Sequence, residues 1–483
     1  MNILTNIVLS TLTSKVIKNF VSAACIVLLT APATAQEDPA ATIPGEPASP
    51  TTPDEPTSPA PNTPQSPFLF FDQPIAIDPE SDIAPPPTTV LSPENDPAFM
   101  EREQAISRYI AEVEAIEVKS GGAWAGTLPE RLLAMGILQQ LQGNHHGAVQ
   151  TFGRAVHVSR INSGLHAQDQ IPAVEKLIES YIALGDWGNA DQYYNYLYYV
   201  QERTYGINDP RIVPVMDSLA DWNILAFNIG FGDLLGLRLT RAQGFYSAAA
   251  RLVQDHFGKS DERFVELQQG IANTALLVAR NASLMNEVTR PEYLNAQDML
   301  RAQLHEHYRP QQPQGFVTGE QALKEIVDHY ASEPEQQLEY ATALADLADW
   351  YLLERRRRIA IESYEMAWTI LGDLEDSTAQ RQTLFGQVSP IPVFARYSDN
   401  LVETLPVNHE SNVLHYDYVD LMFDVTRNGE VRNVRLLTEK TEANIHQLDR
   451  LQRTVRRSYF RPILVDGKPA AAANQHFRYR YWY

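Results

Sequence analysis

The histidines are the side chains in this 483-residue chain best suited to binding a metal or moving a proton. His145 and His146 are adjacent in a stretch typical of a turn between helices, so we expect a surface or capping role for them. The run from His305 to Tyr308 lacks the two-histidine, one-turn spacing of a zinc protease. The glycine-rich stretch from Gly230 lacks the lysine of a phosphate-binding loop, and the only cysteine, Cys25, lies in the N-terminal segment. We therefore expect no enzyme activity, no cofactor and no metal site.

The end of the chain offers a different chemistry, main-chain hydrogen bonding by a β-strand. The stretch HFRYRYWY alternates in residue type with a period of two. One face carries Phe477, Tyr479, Tyr481 and Tyr483, and the other carries Arg478, Arg480 and Trp482. We expect the aromatic face to belong to a core and the arginines to form a solvated face.

The residues before this strand predict a small α+β unit that would position it. Apolar residues alternate over 419–425, and Asn-Gly at 428–429 is a strong hairpin signal before a second strand. Apolar spacing predicts a helix over about 443–459, which Pro462 ends. An Asp-Gly turn at 466–467 leads into the last strand.

Helical repeats precede this unit. From about Phe99 to Arg381, apolar residues recur at intervals of three and four. The stretches LQGNHHGAVQTFGRA and ALGDWGNADQYYNYL match with a spacing of 42 residues, which aligns Gly143 with Gly185. LADW occurs twice, and YGINDPR and FGKSDER are predicted to be equivalent linkers between helix pairs. The stretch FNIGFGDLLGLR is interpreted as an insertion that interrupts the pattern.

These repeats resemble the tetratricopeptide (TPR) repeats of kinesin light chains, which have the longer 42-residue period. The resemblance implies an α-solenoid whose concave face binds peptides or proteins. This region has an excess of acidic residues, so a partner with basic character is expected. The net charge of the whole chain, -21, argues against a nucleic-acid binder, which would need a concentrated basic surface.

The C-terminal unit resembles the C-terminal domain of TonB-type energy transducers, over roughly residues 410–483. The stretches FDVTRNGEVRNVRLL and VRRSYFRPILVDGKP carry the resemblance. Their matching positions are Gly429, Val431, Tyr459, Phe460, Arg461, Pro462, Gly467 and Pro469. The resemblance implies an antiparallel sheet with one helix packed on it, and a sheet edge to which an extended segment of an outer-membrane receptor adds as a strand. The corresponding edge in this chain is formed by Arg478, Tyr479, Arg480 and Tyr481.

The N-terminus has the features of an export signal. Lys15 and Lys18 precede a short apolar run that ends in small residues, so residues 1–35 are predicted to be a secretory signal peptide. Cleavage is expected between Ala35 and Gln36. An uncleaved membrane anchor is the alternative, because further apolar residues lie upstream.

A proline-rich spacer follows the signal. Residues 36–98 hold 17 of the 31 prolines and no lysine or arginine, so we expect a disordered acidic linker. One apolar island, PFLFFDQPIAI at 67–77, interrupts it. We expect the island to pack on this protein's own helical domain, and docking on a partner is the alternative.

The predicted domains are a signal peptide (1–35), an acidic proline-rich linker (36–98), a TPR-like α-helical repeat domain (99–387) and a TonB C-terminal-like domain (388–483). The predicted fold class is multidomain, an α-solenoid of helix pairs followed by a small α+β domain. The function we expect is a non-enzymatic adaptor in the periplasm of a Gram-negative bacterium, soluble or anchored in the inner membrane, that binds proteins or peptides. It would contact a membrane only if the N-terminal segment is uncleaved.

Two other functions stay open. One is a membrane-anchored energy transducer for outer-membrane receptors, although the N-terminal segment has no histidine where that family carries one. The other is a structural protein of the cell envelope, in which the terminal domain only caps the solenoid or dimerises.

Overall fold

The computed structural model describes residues 70–71, 74–77, 96–119, 124–284, 290–304, 315–394, 416–441 and 444–482. The predicted signal peptide with its Ala35–Gln36 cleavage site, Cys25, the run from His305 to Tyr308, and Tyr483 lie outside these ranges. The described part of the chain consists of a long series of helices followed by a small antiparallel sheet.

Thirteen helices precede the sheet in the described residues. They are α1 (Phe99–Lys119), α2 (Leu128–Leu141), α3 (His145–Ser163), α4 (Ile171–Ala183), α5 (Trp187–Tyr205), α6 (Val213–Asn228), α7 (Leu235–Phe257), α8 (Glu262–Arg280), α9 (Pro291–Leu304), α10 (Phe316–Ala331), α11 (Gln337–Leu353), α12 (Arg357–Gly372) and α13 (Ser377–Phe385).

The helices pack as successive antiparallel pairs, as the repeat pattern predicts. The pairs are α2 with α3, α4 with α5, α6 with α7, α8 with α10, and α11 with α12. Helix α9 lies between α8 and α10 in the chain and packs on α7. The interruption predicted at FNIGFGDLLGLR is a longer turn within the third pair: six residues, 229–234, separate α6 from α7, where the first two pairs have three.

The turn inside the first two pairs explains their shared residues. Gly143 and Gly185 have φ values of 72° and 68°, in the left-handed region that glycine adopts without a steric penalty. The next residue caps the second helix of each pair: Asn144 accepts from the backbone N–H of Gly147, and Asp186 accepts from that of Asn189. Residues 42 positions apart therefore end one helix and begin the next in the same way.

Arg355 stands where the other turns have glycine. Its φ is 63°, and the backbone N–H groups of Arg355 and Arg356 donate to Leu352 and Tyr351 as the corresponding groups do in the glycine turns. An arginine in this conformation carries a steric cost of about 1 kcal/mol. We expect Arg355→Gly to raise the free energy of unfolding by up to that amount, measured by urea denaturation. A destabilised Arg355→Gly protein would show that the arginine side chain has a stabilising role of its own.

The two linker motifs form the same structure, as predicted. Asp209 and Asp261 each accept from the backbone N–H two residues later and pair with that residue's guanidinium, with an Nη2–Oδ2 distance of 2.7 Å in both. Arg211 lies 4.2 Å from the centre of the Tyr205 ring, and Arg263 lies 4.3 Å from that of Phe257. The linkers therefore join consecutive helix pairs in equivalent ways.

The repeated LADW motif supplies two of the largest buried side chains, Trp222 and Trp350. The aspartate before each tryptophan accepts a hydrogen bond from a tyrosine on the next helix of the pair. The pairs are Tyr246 with Asp221 and Tyr364 with Asp349. The motif thus combines core packing with a buried polar link between paired helices.

The C-terminal sheet is antiparallel. Its strands are β1 (Phe70–Phe71), β2 (Ile75–Ala76), β4 (Tyr416–Val425), β5 (Val431–Leu436) and β9 (Ala472–Trp482). Their order is β1-β9-β4-β5, and β2 also pairs with β9. Two small antiparallel pairs accompany the sheet: β3 (Ser389–Pro390) with β6 (Phe460–Arg461), and β7 (Ile463–Val465) with β8 (Lys468–Ala470).

One helix, α14 (Ile445–Val455), packs on the sheet through Leu448, Leu451 and Val455. It is shorter than predicted. The backbone N–H of Phe460 donates to the carbonyl of Gly429 at 2.9 Å, so the chain is already extended where the pattern predicted the last helical turn. The small antiparallel sheet with one helix is otherwise as expected.

The prediction that the apolar island packs on the helical domain is wrong. Residues 70–71 and 75–76 instead pair with β9 of the C-terminal sheet. The sequence pattern identified an apolar segment but could not identify the surface that it contacts, because main-chain pairing is largely independent of side-chain type.

Candidate strand-binding edge and its anchor on the helical repeats

Strand β9 lies inside the sheet, with β4 on one side. The register pairs Asp420 with Arg478, and Tyr418 with Arg480. On its other side β9 pairs with β1 and β2. The four edge residues predicted from the sequence, Arg478 to Tyr481, therefore lie on the strand that β1 and β2 cover.

The aromatic face of β9 belongs to the core of the sheet, as predicted. Phe477, Tyr479 and Tyr481 are all buried. The Phe477 ring stacks on Phe423 of β4 at 5.3 Å between centroids, and both rings contact Phe460. These rings fix the position of β9 and leave its main chain as the part that can bind another strand.

The prediction of a solvated arginine face is wrong. The guanidinium of Arg478 donates two hydrogen bonds to Asp420, at 2.7 and 2.8 Å, and lies 6.0 Å from the centre of the Tyr418 ring. Arg480 is only 9% exposed. Asp420 lies directly opposite Arg478 in the register, and such cross-strand partners hold long side chains against a sheet.

Residues 70–71 and 75–76 pair with the outer side of β9 as an antiparallel addition to the sheet. Phe70 and Phe71 pair with Trp482 and Tyr481, and Ile75 and Ala76 pair with Arg478 and Phe477. The backbone N–H of Ile77 donates to the carbonyl of His476 at 3.0 Å. We call the described residues 70–71 and 74–77 the strap. The backbone of β9 therefore accepts an added strand on this side.

A buried ionic cluster anchors the C-terminal unit on the last helix pair. Arg461, 2% exposed, donates from Nε and Nη2 to the two carboxylate oxygens of Asp349 and from Nη2 to Asp346 at 2.7 Å. Tyr364 donates to the same Asp349 at 2.6 Å. The sequence placed Arg461 among the motif residues but gave no partner for it. The two aspartates in the apolar run LADLADW were the available signal, because a buried carboxylate needs a cation or several hydrogen bonds.

The charges of this cluster are unequal. Burial raises the pKa of both Asp346 and Asp349, that of Asp346 to about 6. Burial disfavours the charge of Arg461, but the two carboxylates outweigh this effect and hold its pKa above the usual value. One permanent cation faces two carboxylates, so Asp346 takes up a proton more readily than it would in the unfolded chain.

A pH effect follows from the raised pKa of Asp346. The folded protein binds the Asp346 proton more tightly than the unfolded chain does. The protonated carboxyl therefore adds stability that is complete below pH 4 and is lost as the pH rises through 6. We expect the difference in unfolding free energy, wild type minus Asp346→Asn, to fall over this range by at most about 3 kcal/mol. Urea denaturation at several pH values measures it. A difference that rises with pH would contradict the raised pKa of Asp346.

Other motif residues also face the last helix pair or the small hairpins. A Cβ at Gly429 would lie 3.1 Å from Leu352 Cδ1, and a Cβ at Gly467 would lie 3.0 Å from Trp368 Cδ1. Tyr459 packs against the core of the helical region. The remaining motif positions are in the sheet or beside it. Val431 and Phe460 are in the core of the sheet. Pro462 is buried between β6 and β7, and Pro469 pairs with Leu464 in the β7–β8 hairpin. Several positions that the sequence assigned to one domain therefore form its contact with the repeats.

Three arginines of the run at 355–358 form ion pairs with neighbouring carboxylates. Arg356 contacts Glu320 and Glu354, Arg357 contacts Glu430, and Arg358 contacts Glu362. The Arg357–Glu430 pair adds a second ionic contact between the last helix pair and the β4–β5 turn.

A row of tyrosines lies at the partly exposed surface of α4 and α5. Tyr193 and Tyr196 are partly exposed on α5, Tyr199 is 40% exposed one turn further on, and Tyr181 of α4 stacks on Tyr193 at 5.5 Å. Burial raises the pKa of Tyr181 to about 12, so its phenol stays neutral. Arg160 lies 4.6 Å from the centre of the Tyr196 ring. Tyrosine and arginine are the residue types enriched where proteins bind each other.

The histidine prediction needs one correction. His145 is buried at the first position of α3, and the capping residue is Asn144. Within the described ranges, no group of three or more potential metal-ligating side chains is close enough to hold a metal ion. The helices that the structure describes include none with the length and hydropathy to cross a membrane.

Comparisons with known proteins give likenesses to solved structures. No family model matches this chain. No curated protein matches it. It is similar to BtubC from P. vanneervenii, at 12% identity and a TM-score of 0.35, over 57% of this chain and 92% of that chain. It is also similar to a protein from Podosopora anserina described as a kinesin light chain with nearly identical TPR-like repeats, at 13% identity and a TM-score of 0.31, over 43% of this chain and 92% of that one.

Proposed function

We propose that this protein is a non-enzymatic adaptor of the cell envelope with two binding modules. The TPR-like repeats hold one protein partner, and the TonB-like C-terminal unit binds an extended segment of another by strand addition to β9. The proposed location is the periplasm of a Gram-negative bacterium, which rests on the signal-like N-terminus and the resemblance of the terminal unit.

The observation that carries the proposal is the pairing of residues 70–71 and 75–76 with the outer side of β9. Strand addition requires that a main-chain edge be sterically accessible and that its N–H and C=O groups point outward. An antiparallel segment seated on this edge meets both requirements. The ring stack beneath β9 and the Arg478–Asp420 pair keep the edge straight while a segment binds.

The anchor through Arg461 supports the adaptor role. Asp346 and Asp349 hold this side chain inside the contact between the sheet and the last helix pair. A buried contact of this kind keeps two modules at a fixed distance and orientation, which lets an adaptor bring its two partners together. The tyrosine row on α4 and α5 is the surface we assign to the partner of the repeats.

Photocrosslinking in cells tests the strand-binding proposal. A photoreactive amino acid at His476, on the edge, should give a specific adduct whose mass spectrum maps to one contiguous segment of a partner. The same amino acid at Val465, which is 55% exposed on the β7–β8 hairpin, is the matched control. Identical adducts at both positions, or adducts at His476 that map to many unrelated segments, would contradict the proposal.

Mass and N-terminal sequencing of the protein from fractionated cells tests the proposed location. A soluble periplasmic chain that begins at Gln36 is the expected result. A membrane-bound chain that keeps Met1 to Ala35 would instead favour the energy-transducer function, since force transduction needs an anchor.

A further inference from the structure

The strap occupies the same main-chain edge that the proposed partner would use. The carbonyl of His476 already accepts from Ile77, and β9 residues 477, 478, 481 and 482 are already paired. A strand edge can hydrogen-bond to one added strand at a time. Binding of the strap and binding of a partner segment are therefore mutually exclusive.

The strap pairs with this edge imperfectly. Three residues, 72–74, separate its two paired stretches, whereas only two, 479–480, separate their partners on β9, so the strap carries one extra residue. One of the three is Pro74, which has no N–H to donate. The side chain of Ile75 is 65% exposed and that of Ala76 is exposed, so these two residues bury little apolar surface. At Ile75 and Ala76 the strap is therefore held by main-chain pairing rather than by apolar burial.

Covalent linkage compensates for this weak pairing. The strap belongs to the same chain as β9 and is joined to α1 through residues 78–98. A tethered ligand competes at an effective concentration in the millimolar range. A weak internal strand can therefore stay bound until a partner offers better pairing.

We propose that the strap is an autoinhibitory strand, which covers the edge of β9 until a partner segment displaces it. The inference rests on the proposed function. It also specifies the partner class: an extended, antiparallel segment without a central proline, which can pair with residues 476–482 without interruption. Such a segment keeps one register along the whole edge, whereas the register of the strap shifts by one residue between its two paired stretches, and it needs no special side chain to replace the strap.

A binding experiment with the full chain tests the autoinhibition. The probe is a labelled synthetic peptide, PFLFFDQPIAI, with the sequence of residues 67–77. The wild type is compared with a chain in which residues 67–77 are replaced by a glycine-serine segment of equal length, and with the matched pair Ile77→Pro and Ile77→Ala. Only Ile77→Pro removes the N–H that donates to His476. We expect the replaced chain to bind the peptide at least tenfold more tightly than the wild type, with Ile77→Pro in between and Ile77→Ala close to the wild type.

Amide hydrogen exchange provides the second measurement and the control for folding. Amides on the strap side of β9, those of residues 476, 478, 480 and 482, should exchange faster in the replaced chain and regain protection when the peptide binds, while amides of 419–423 stay protected throughout. Equal peptide affinity for the wild type and the replaced chain would overturn the proposal. So would an absence of peptide binding by the replaced chain when its sheet is intact, or a wild type whose strap sits on a second copy and makes a dimer.

The outcomes separate this inference from the proposed function. Tighter peptide binding by the replaced chain without any partner adduct at His476 would support autoinhibition by the strap. It would contradict the proposal that a partner segment binds β9. A specific adduct at His476 together with unchanged peptide affinity would support binding of a partner segment to β9. It would contradict autoinhibition by the strap.

Discussion

Arg461→Met is expected to lower the free energy of unfolding by about 4 kcal/mol, because it leaves two buried carboxylates without a cation. Asp349 is fully buried and receives the Nε and Nη2 hydrogen bonds of Arg461, and Asp346 receives a third. Methionine fills part of the same volume, so the expected loss comes from charge rather than from a cavity. Urea denaturation followed by circular dichroism measures it.

Arg478→Met is the matched control for this prediction. Arg478 also makes two hydrogen bonds to one aspartate, Asp420, but both side chains are partly exposed. Water can solvate the remaining carboxylate there, so a loss of about 0–1 kcal/mol is expected. Similar losses for the two variants would show that the buried cluster does not stabilise the contact with the repeats. A double-mutant cycle of Arg461→Met with Asp349→Asn should also give strong coupling, because each change removes the same interaction.

The second large effect is expected from a single methyl group in the helical core. Gly319 of α10 packs against the indole of Trp350, where an added Cβ would lie 2.1 Å from Cζ2. The indole cannot move away easily, because it is fully buried and its Nε1–H donates to the carbonyl of Phe316 and to Glu354. We expect Gly319→Ala to cost about 3 kcal/mol through overpacking, measured as a lower urea midpoint.

Gly153→Ala is the control for this second prediction. Gly153 lies inside α3, and a Cβ there would meet no atom within 4 Å. Alanine favours the helix over glycine by about 1 kcal/mol, so this variant should be more stable than the wild type. If Gly319→Ala is also stabilising, the close approach of α10 and α11 would not hold in solution.

Local features of the chain were predictable from the sequence because they depend on nearby residues. The 42-residue spacing of Gly143 and Gly185 predicted two equivalent turns, since each turn needs a left-handed residue followed by a capping side chain. The period-two pattern at 419–425 and 476–483 predicted strands, and the alternation placed Phe477, Tyr479 and Tyr481 on the buried face. Helix α14 was predicted to run to about residue 459, but it ends at Val455.

The sequence did not predict which distant groups would meet. Arg461 and Asp349 are 112 residues apart, and any of the many acidic side chains in the repeats had the right charge. Only the packing of the sheet on the last helix pair selects Asp346 and Asp349, because these two are the carboxylates that the contact buries against the guanidinium. The same packing places the glycines of two turns against Leu352 and Trp368.

The sequence by itself determined the helix pairs, the strands and the buried aromatic face, since each follows from a short-range period. The tertiary structure alone decided that Arg461 joins the two modules and that residues 70–71 and 75–76 lie on β9. The physical reason is that a backbone edge presents the same N–H and C=O groups whatever its side chains are. Its partner is therefore selected by position in the folded chain, where the strap is brought to the last strand from the opposite end of the sequence.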